Sequence, residues 1–194
     1  MTGGGRAPGR PRDTARQGAV LQAVREILAD GGYPAVTFSD VAARAGVTRQ
    51  LVYRWWPSRP DLVAEAIFAE LETTWQASFP GPLEADLRVY VAALVETAGR
   101  PAVRAGVIGL MSDPAADDHE LPGLEEWVLG PLEEGLRAIV DGAAARGEAR
   151  SDLDVRLTMN TLRGAVVMHL VADGTEPDVI VDHLARLCAA ALRP

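Results

Sequence analysis

The chain contains no lysine and only one cysteine, Cys188, in 194 residues. One thiol cannot close an internal disulfide, so the fold is expected to lack covalent staples, as in a reducing cytoplasm. Cys188 reads as a small apolar filler on the last helix. Histidine is nearly as scarce, with three scattered copies, and the chain has neither a Gly-rich phosphate loop nor a serine nucleophile elbow. No catalytic constellation is legible, and no cofactor is expected. Asp117-Asp118-His119-Glu120 offers metal-ligand side chains. It lies between Pro114 and Pro122 with no Cys or second His nearby, which reads as a solvated loop. No apolar run approaches the ~20 residues of a membrane span. Residues 3–16 are polar and basic where a secretory leader needs an apolar stretch. Period-two alternation and internal repeats are missing as well.

Helical punctuation is what the chain does contain. Ala19, Val20, Ala23, Val24, Ile27 and Leu28 line one side of an amphipathic helix that closes at Gly31-Gly32. Residues 37–62 then read TFSDVAARAGVTRQLVYRWWPSRPDL. Thr37 or Ser39 can accept bonds from the free N–H groups that open a short helix. Val41, Ala42 and Ala45 give that helix a narrow apolar stripe, and Gly46 suits a left-handed end. Thr48 caps a second short helix whose inward residues are expected to be Leu51, Val52 and Trp55. Helices this short bury little alone and must cross each other steeply. That geometry is a helix-turn-helix, whose second helix fits a DNA major groove.

Charge is divided in the sense such a reader needs. The net charge is −8, yet residues 1–59 hold nine Arg and four acids, or +5. The remaining ten Arg and 23 acids give −13. Positive charge is concentrated where phosphates would lie. Residues 1–13 form a basic arm in which Gly and Pro oppose a helix up to about Pro11. Arg10 and Arg12 then either run along a minor groove or belong to a solvated tail.

The ordered run Gly32-Tyr33, Thr37, Ala45-Gly46-Val47-Thr48, Leu51-Val52-Tyr53, Trp55-Trp56, Ser58-Arg59 and Leu62 resembles the tetracycline-repressor (TetR/AcrR) family of bacterial transcription regulators. The resemblance covers residues 14–66. It implies an all-α fold of about nine helices, with a DNA-binding domain at 14–60 and a ligand-binding and dimerisation domain at 61–194. It also implies that Tyr53 bonds a phosphate. Thr37 and Arg59 are placed to do the same, and Thr48, Arg49 and Gln50 to approach base edges, with Arg54 beside them. Gln50 stands where the family often has Gly, Arg59 where it usually has Lys, and Trp55-Trp56 where it has a His/Phe pair.

Beyond Pro60 the punctuation spaces helices at about 61–77, 83–99, 101–111, 121–146, 152–172 and 176–192. The last two are apolar on more than one face, which fits either an inner helix of a monomer or, as the resemblance implies, a four-helix homodimer interface. Candidates for an effector pocket are Trp75, Tyr90, Leu94, Met111, Trp127, Leu136, Leu162, Val166 and His169, with Asn160 as a polar contact. Each serves equally well as ordinary core. The expected partners are a duplex DNA operator, a small and mostly apolar effector, and a second copy of the chain, with no membrane. A repressor released by its effector is the reading the resemblance implies. A regulator governed by a protein partner, or by no ligand, is the alternative, and a helical enzyme has least behind it.

Overall fold

The computed structural model describes residues 11–68, 79–114, 129–150, 152–170 and 174–193. These contain nine α-helices, one short 3-10 turn and no strand. Helix α1 (Pro11–Gly31) starts three residues earlier than the 14–60 boundary expects. Proline fits the first turn of a helix, where its missing N–H costs nothing. Arg12 therefore belongs to that turn rather than to an extended arm, while Arg10 lies outside the described residues. The chain leaves α1 through Gly32 at φ 72°, and the 3-10 turn Tyr33–Ala35 leads to α2 (Phe38–Ala45). Thr37 caps α2 by accepting from Asp40 N, and Gly46 ends it at φ 66°. Thr48 caps α3 (Arg49–Trp55) through Leu51 N.

Val24, Val41 and Val52, one from each helix, are fully buried in the shared core of this unit. One expectation is corrected here: Trp56, not Trp55, is the core ring. The helix stops at Trp55, and the extended backbone of Trp56 (φ −127°) turns its ring back inside. Its Nε1 donates to Glu65 Oε2 at 2.6 Å. Trp55 is half-buried and packs edge-on to it.

Helix α4 (Arg59–Phe68) begins two residues before the expected 61 because Ser58 Oγ accepts from Asp61 N. The expected continuation to 77 lies outside the described residues. So do 121–128 of the next long helix and the Asp117–Glu120 cluster. The body continues with α5 (Leu83–Gly99), α6 (Pro101–Ser112), α7 (Gly130–Ala145), α8 (Val155–Met168) and α9 (Pro177–Leu192). Helix α8 starts at Val155 rather than 152 because Asp154 caps it through Leu157 N. Helix α5 is the axis of the body. Leu87, Tyr90 and Val91 on it are fully buried, and α6, α7, α8 and α9 all pack against it.

Helix α6 joins the body to the reader. A Cβ on Gly106 would stand 2.9 Å from Ile67 Cγ2 of α4, and one on Gly109 would stand 2.0 Å from Tyr33 Cγ. The α6 backbone itself is the packing surface. Asp113, just past α6, accepts from Tyr33 Oη at 2.8 Å and from Arg59 Nη2 at 2.7 Å. The Arg59 guanidinium also lies 4.4 Å from the Tyr33 ring centre, a cation–π contact.

Two outcomes follow from this junction. Gly109→Ala should force Tyr33 to shift and cost about 1–3 kcal/mol, as overpacking does. A denaturant titration checks it, and an unchanged midpoint would refute the close approach. Burial, and then the bond to Asp113, push the Tyr33 hydroxyl from an ordinary 10 up to about 12. Its contribution to stability is therefore complete below pH 10 and fades as pH rises through about 12. Asp113→Ala removes two upward causes, the bond and the negative charge, so phenolate absorbance should appear at lower pH than in the parent.

Candidate nucleic-acid interface and body cavity

Helix α3 turns one flank to its core and the other to solvent. Val52 is buried, while Arg49, Gln50, Tyr53 and Arg54 are exposed. These four sit at spacings of one, four and five, which places them on one helical face. Exposed Thr48 stands at its N-terminal edge. The Tyr53 ring stacks on Phe38 of α2, with centroids 4.0 Å apart and planes within 8°. Arg49 Nη2 donates to Tyr53 Oη at 3.0 Å, and its guanidinium lies 5.2 Å from the same ring. Phe38 thus holds Tyr53, and Tyr53 holds Arg49. Sequence reading missed Phe38. The available signal was an aromatic at the first position of α2, beside an expected exposed tyrosine.

Thr37 and Arg59 already have protein partners. Thr37 Oγ1 accepts from Asp40 N and donates to Asp40 Oδ2. Arg59 is turned to Asp113 and Tyr33 of the junction, a placement the sequence expectation of a phosphate contact did not contain. An ion pair to a residue 54 positions away leaves no local pattern.

The body holds a cavity of about 340 Å³. Its walls are Ile67 and Phe68 of α4, Leu94, Thr97 and Ala98 of α5, and Val103, Val107 and Met111 of α6. Leu132 of α7 and Asn160, Arg163, Gly164, Val166, Val167 and Met168 of α8 complete it. Of the expected lining, Leu94, Met111 and Val166 are present, with Asn160 as a polar wall. Tyr90, Leu136 and Leu162 are core residues outside the lining. The Tyr90 hydroxyl is satisfied by the Leu132 carbonyl at 3.0 Å, and burial raises its pKa. His169 follows α8 and is not a wall residue. Trp75 and Trp127 lie outside the described residues. Sequence reading missed Arg163, Thr97 and the α4 residues Ile67 and Phe68. Among the described residues, no group of three or more potential metal ligands gathers, and no helix is long and apolar enough to cross a membrane. Cys188 is buried, and burial pushes its thiol up to about 11, in keeping with a core filler.

Comparison with known proteins accounts for both halves. Residues 20–66 match the model of bacterial regulatory proteins of the tetR family. Residues 80–190 match that of the tetracyclin repressor-like C-terminal domain. The chain is 27% identical over 168 residues to the HTH-type transcriptional regulator AqdR of Rhodococcus erythropolis, covering 86% of this chain and 79% of that one. It is 24% identical over 175 residues to the HTH-type regulator YdeS of Bacillus subtilis, covering 87% and 84%. The crystal structure of a TetR transcriptional regulator from Agrobacterium tumefaciens superposes with a TM-score of 0.69 at 19% identity, over 92% of this chain and 94% of that one. With an exposed basic α3 face and two family models spanning reader and body, the chain belongs to the TetR family of helix-turn-helix transcriptional regulators and is not an enzyme.

Proposed function

We propose that this regulator is a homodimeric repressor, working in the cytoplasm, that a small and largely apolar effector releases from a palindromic operator. The observation that carries this reading is the double role of α6. Val103, Val107 and Met111 line the cavity. Gly106, Gly109 and the adjoining Asp113 press on α4, Tyr33 and Arg59. Occupancy of the cavity then bears on the reader through a backbone contact that has little slack. A ligand that prefers the non-binding arrangement by a few kcal/mol suffices to empty the operator. The cavity also weighs against a regulator without a ligand, since a volume near 340 Å³ is in the range of small-molecule sites, about 300–1,000 Å³.

On DNA, the α3 face supplies the contacts. Arg49 and Gln50 are assigned to base edges, with Thr48 beside them. Tyr53, Arg54 and Thr37 are assigned to phosphates, together with Arg10 and Arg12 at the N-terminal end. Arg59 reaches a phosphate only by leaving Asp113. Dimerisation is assigned to α8 and α9. Their inner residues Met159, Leu162, Val166, Ile180 and Leu184 are buried, yet Leu157 and Thr161 are exposed on α8, in one row with Gly164 and Met168, which also border the cavity. Val179, Leu187, Ala190 and Ala191 do the same on α9. Exposed, largely apolar rows on these two helices suit a second copy of the same surface.

Selection from random duplex DNA should enrich a palindrome with half-sites about 34–36 Å apart; enrichment of no sequence would overturn the reading. Arg49→Ala and Gln50→Ala should relax base preference, by about 1–3 kcal/mol for each bidentate contact, whereas Tyr53→Phe should weaken all sequences alike. Unaltered preference in both alanine variants would mean that α3 docks in another way. Leu187 is 57% exposed, so Leu187→Glu should leave the chain folded. It should halve the sedimenting mass and lower operator affinity steeply. A parent that sediments as a monomer and still binds the palindrome tightly would remove the dimer.

A further inference from the structure

Polar side chains on the cavity wall are few: Thr97, Asn160 and Arg163. Thr97 of α5 is 93% removed from solvent, since its exposure is 7%, and its Oγ1 has no hydrogen-bond partner. Helix α8 contributes Asn160 and Arg163 to the same cavity. Arg163 Nη1 donates to Asn160 Oδ1 at 3.3 Å, a long bond to a neutral group. Among the described residues, no carboxylate lies within ion-pair distance of Arg163. Arg137, Arg146 and Arg150, by contrast, each hold a carboxylate within 3 Å. Residues 60–194 carry a net −13, so acids are abundant, yet none of the described ones pairs with the cavity arginine. Burial pulls the Arg163 guanidinium below its ordinary value, the direction expected of a cation without a counter-charge.

A guanidinium presents a planar fork that matches a carboxylate in two parallel hydrogen bonds. A hydroxyl with no partner supplies one more donor. Resting on the reading of this cavity as the effector site, we propose that its ligand is an amphiphilic anion, an apolar chain or ring system ending in a carboxylate. The carboxylate pairs with Arg163 and accepts from Thr97 Oγ1. The apolar part lies against Phe68 of α4 and Val103 and Val107 of α6, the two helices that meet the reader. The arginine then selects the charge of the ligand, and the apolar wall converts its bulk into pressure on α6.

The test uses the full chain with three probes: the neutral dye Nile red, decanoate below its micelle-forming concentration, and methyl decanoate. Nile red fluorescence should rise on binding in both parent and Arg163→Gln, and should be lost in Val107→Trp, which fills the cavity. Decanoate should displace the dye about tenfold or more better than its methyl ester, because only the acid meets the guanidinium. Arg163→Gln should erase that preference, while Arg186→Gln on the outer face of α9 should keep it. Dye binding with equal displacement by acid and ester would overturn the anion inference and leave the cavity reading standing. Absence of dye and decanoate binding alike would overturn both. Thermal midpoints of the variants separate loss of binding from loss of fold.

Discussion

Reader and body act as one object because the α6 backbone touches Tyr33 with no side chain between. Packed helices ordinarily stand 8–10 Å apart, with rotamers that absorb small shifts. Gly109 removes that cushion, and Gly106 does the same against Ile67 and Val63. Close-packed interiors are stiff and transmit strain. Displacement of α6 therefore has to appear at Tyr33 and α4, rather than dissipate in side chains. Asp113 ties the same corner by a hydroxyl and a guanidinium, so both steric and polar links converge on one point of the molecule.

What the sequence made legible was local. Thr37, Gly46 and Thr48 each act within four residues, and caps of that range leave a pattern in any single chain. The exposed face Arg49, Gln50, Tyr53 and Arg54 follows from helical period alone. Legibility ends where contacts are long-range or the period stops. Trp55 was expected inside because it follows Leu51 and Val52 at helical spacing, but the backbone turns extended at Trp56 and that ring takes the core position. The partnership of Arg59 with Asp113 spans 54 positions, and nothing near either residue announces it. In the body, apolar identity marks residues that avoid water but not which void they border. Leu94 and Val166 meet the cavity, whereas Tyr90 and Leu136, of the same chemical kind, fill the core. Arg163 escaped notice because an arginine on a helix reads as a solvated side chain until its neighbours are known.

Helix α8 shows how much one segment carries. Its fourteen residues divide among three surroundings. Met159 and Leu162 close the core, Asn160 and Arg163 face the cavity, and Leu157 sits on the outer row. A helix has room for such a division because 3.6 residues per turn distribute successive side chains around its axis. The outer row and the cavity wall share a rigid backbone, so an assembled pair of subunits and an occupied cavity would be mechanically linked through α8. Helix α5 behind it, with Leu87, Tyr90 and Val91 fully buried, gives both a fixed reference.

The reader holds nine arginines and neither lysine nor histidine in residues 1–59. Arginine keeps its charge at any acidity a cell reaches, and histidine is the side chain that changes charge near neutrality. Lysine, the usual target of charge-erasing acetylation, is missing from the whole chain. The electrostatic hold on nucleic acid is thus a constant of the molecule. Neither a fall in pH nor acetylation of a lysine can loosen it. On the proposed reading, control over occupancy is exercised by geometry, and the glycine-lined contact of α6 with Tyr33 is where geometry passes from body to reader.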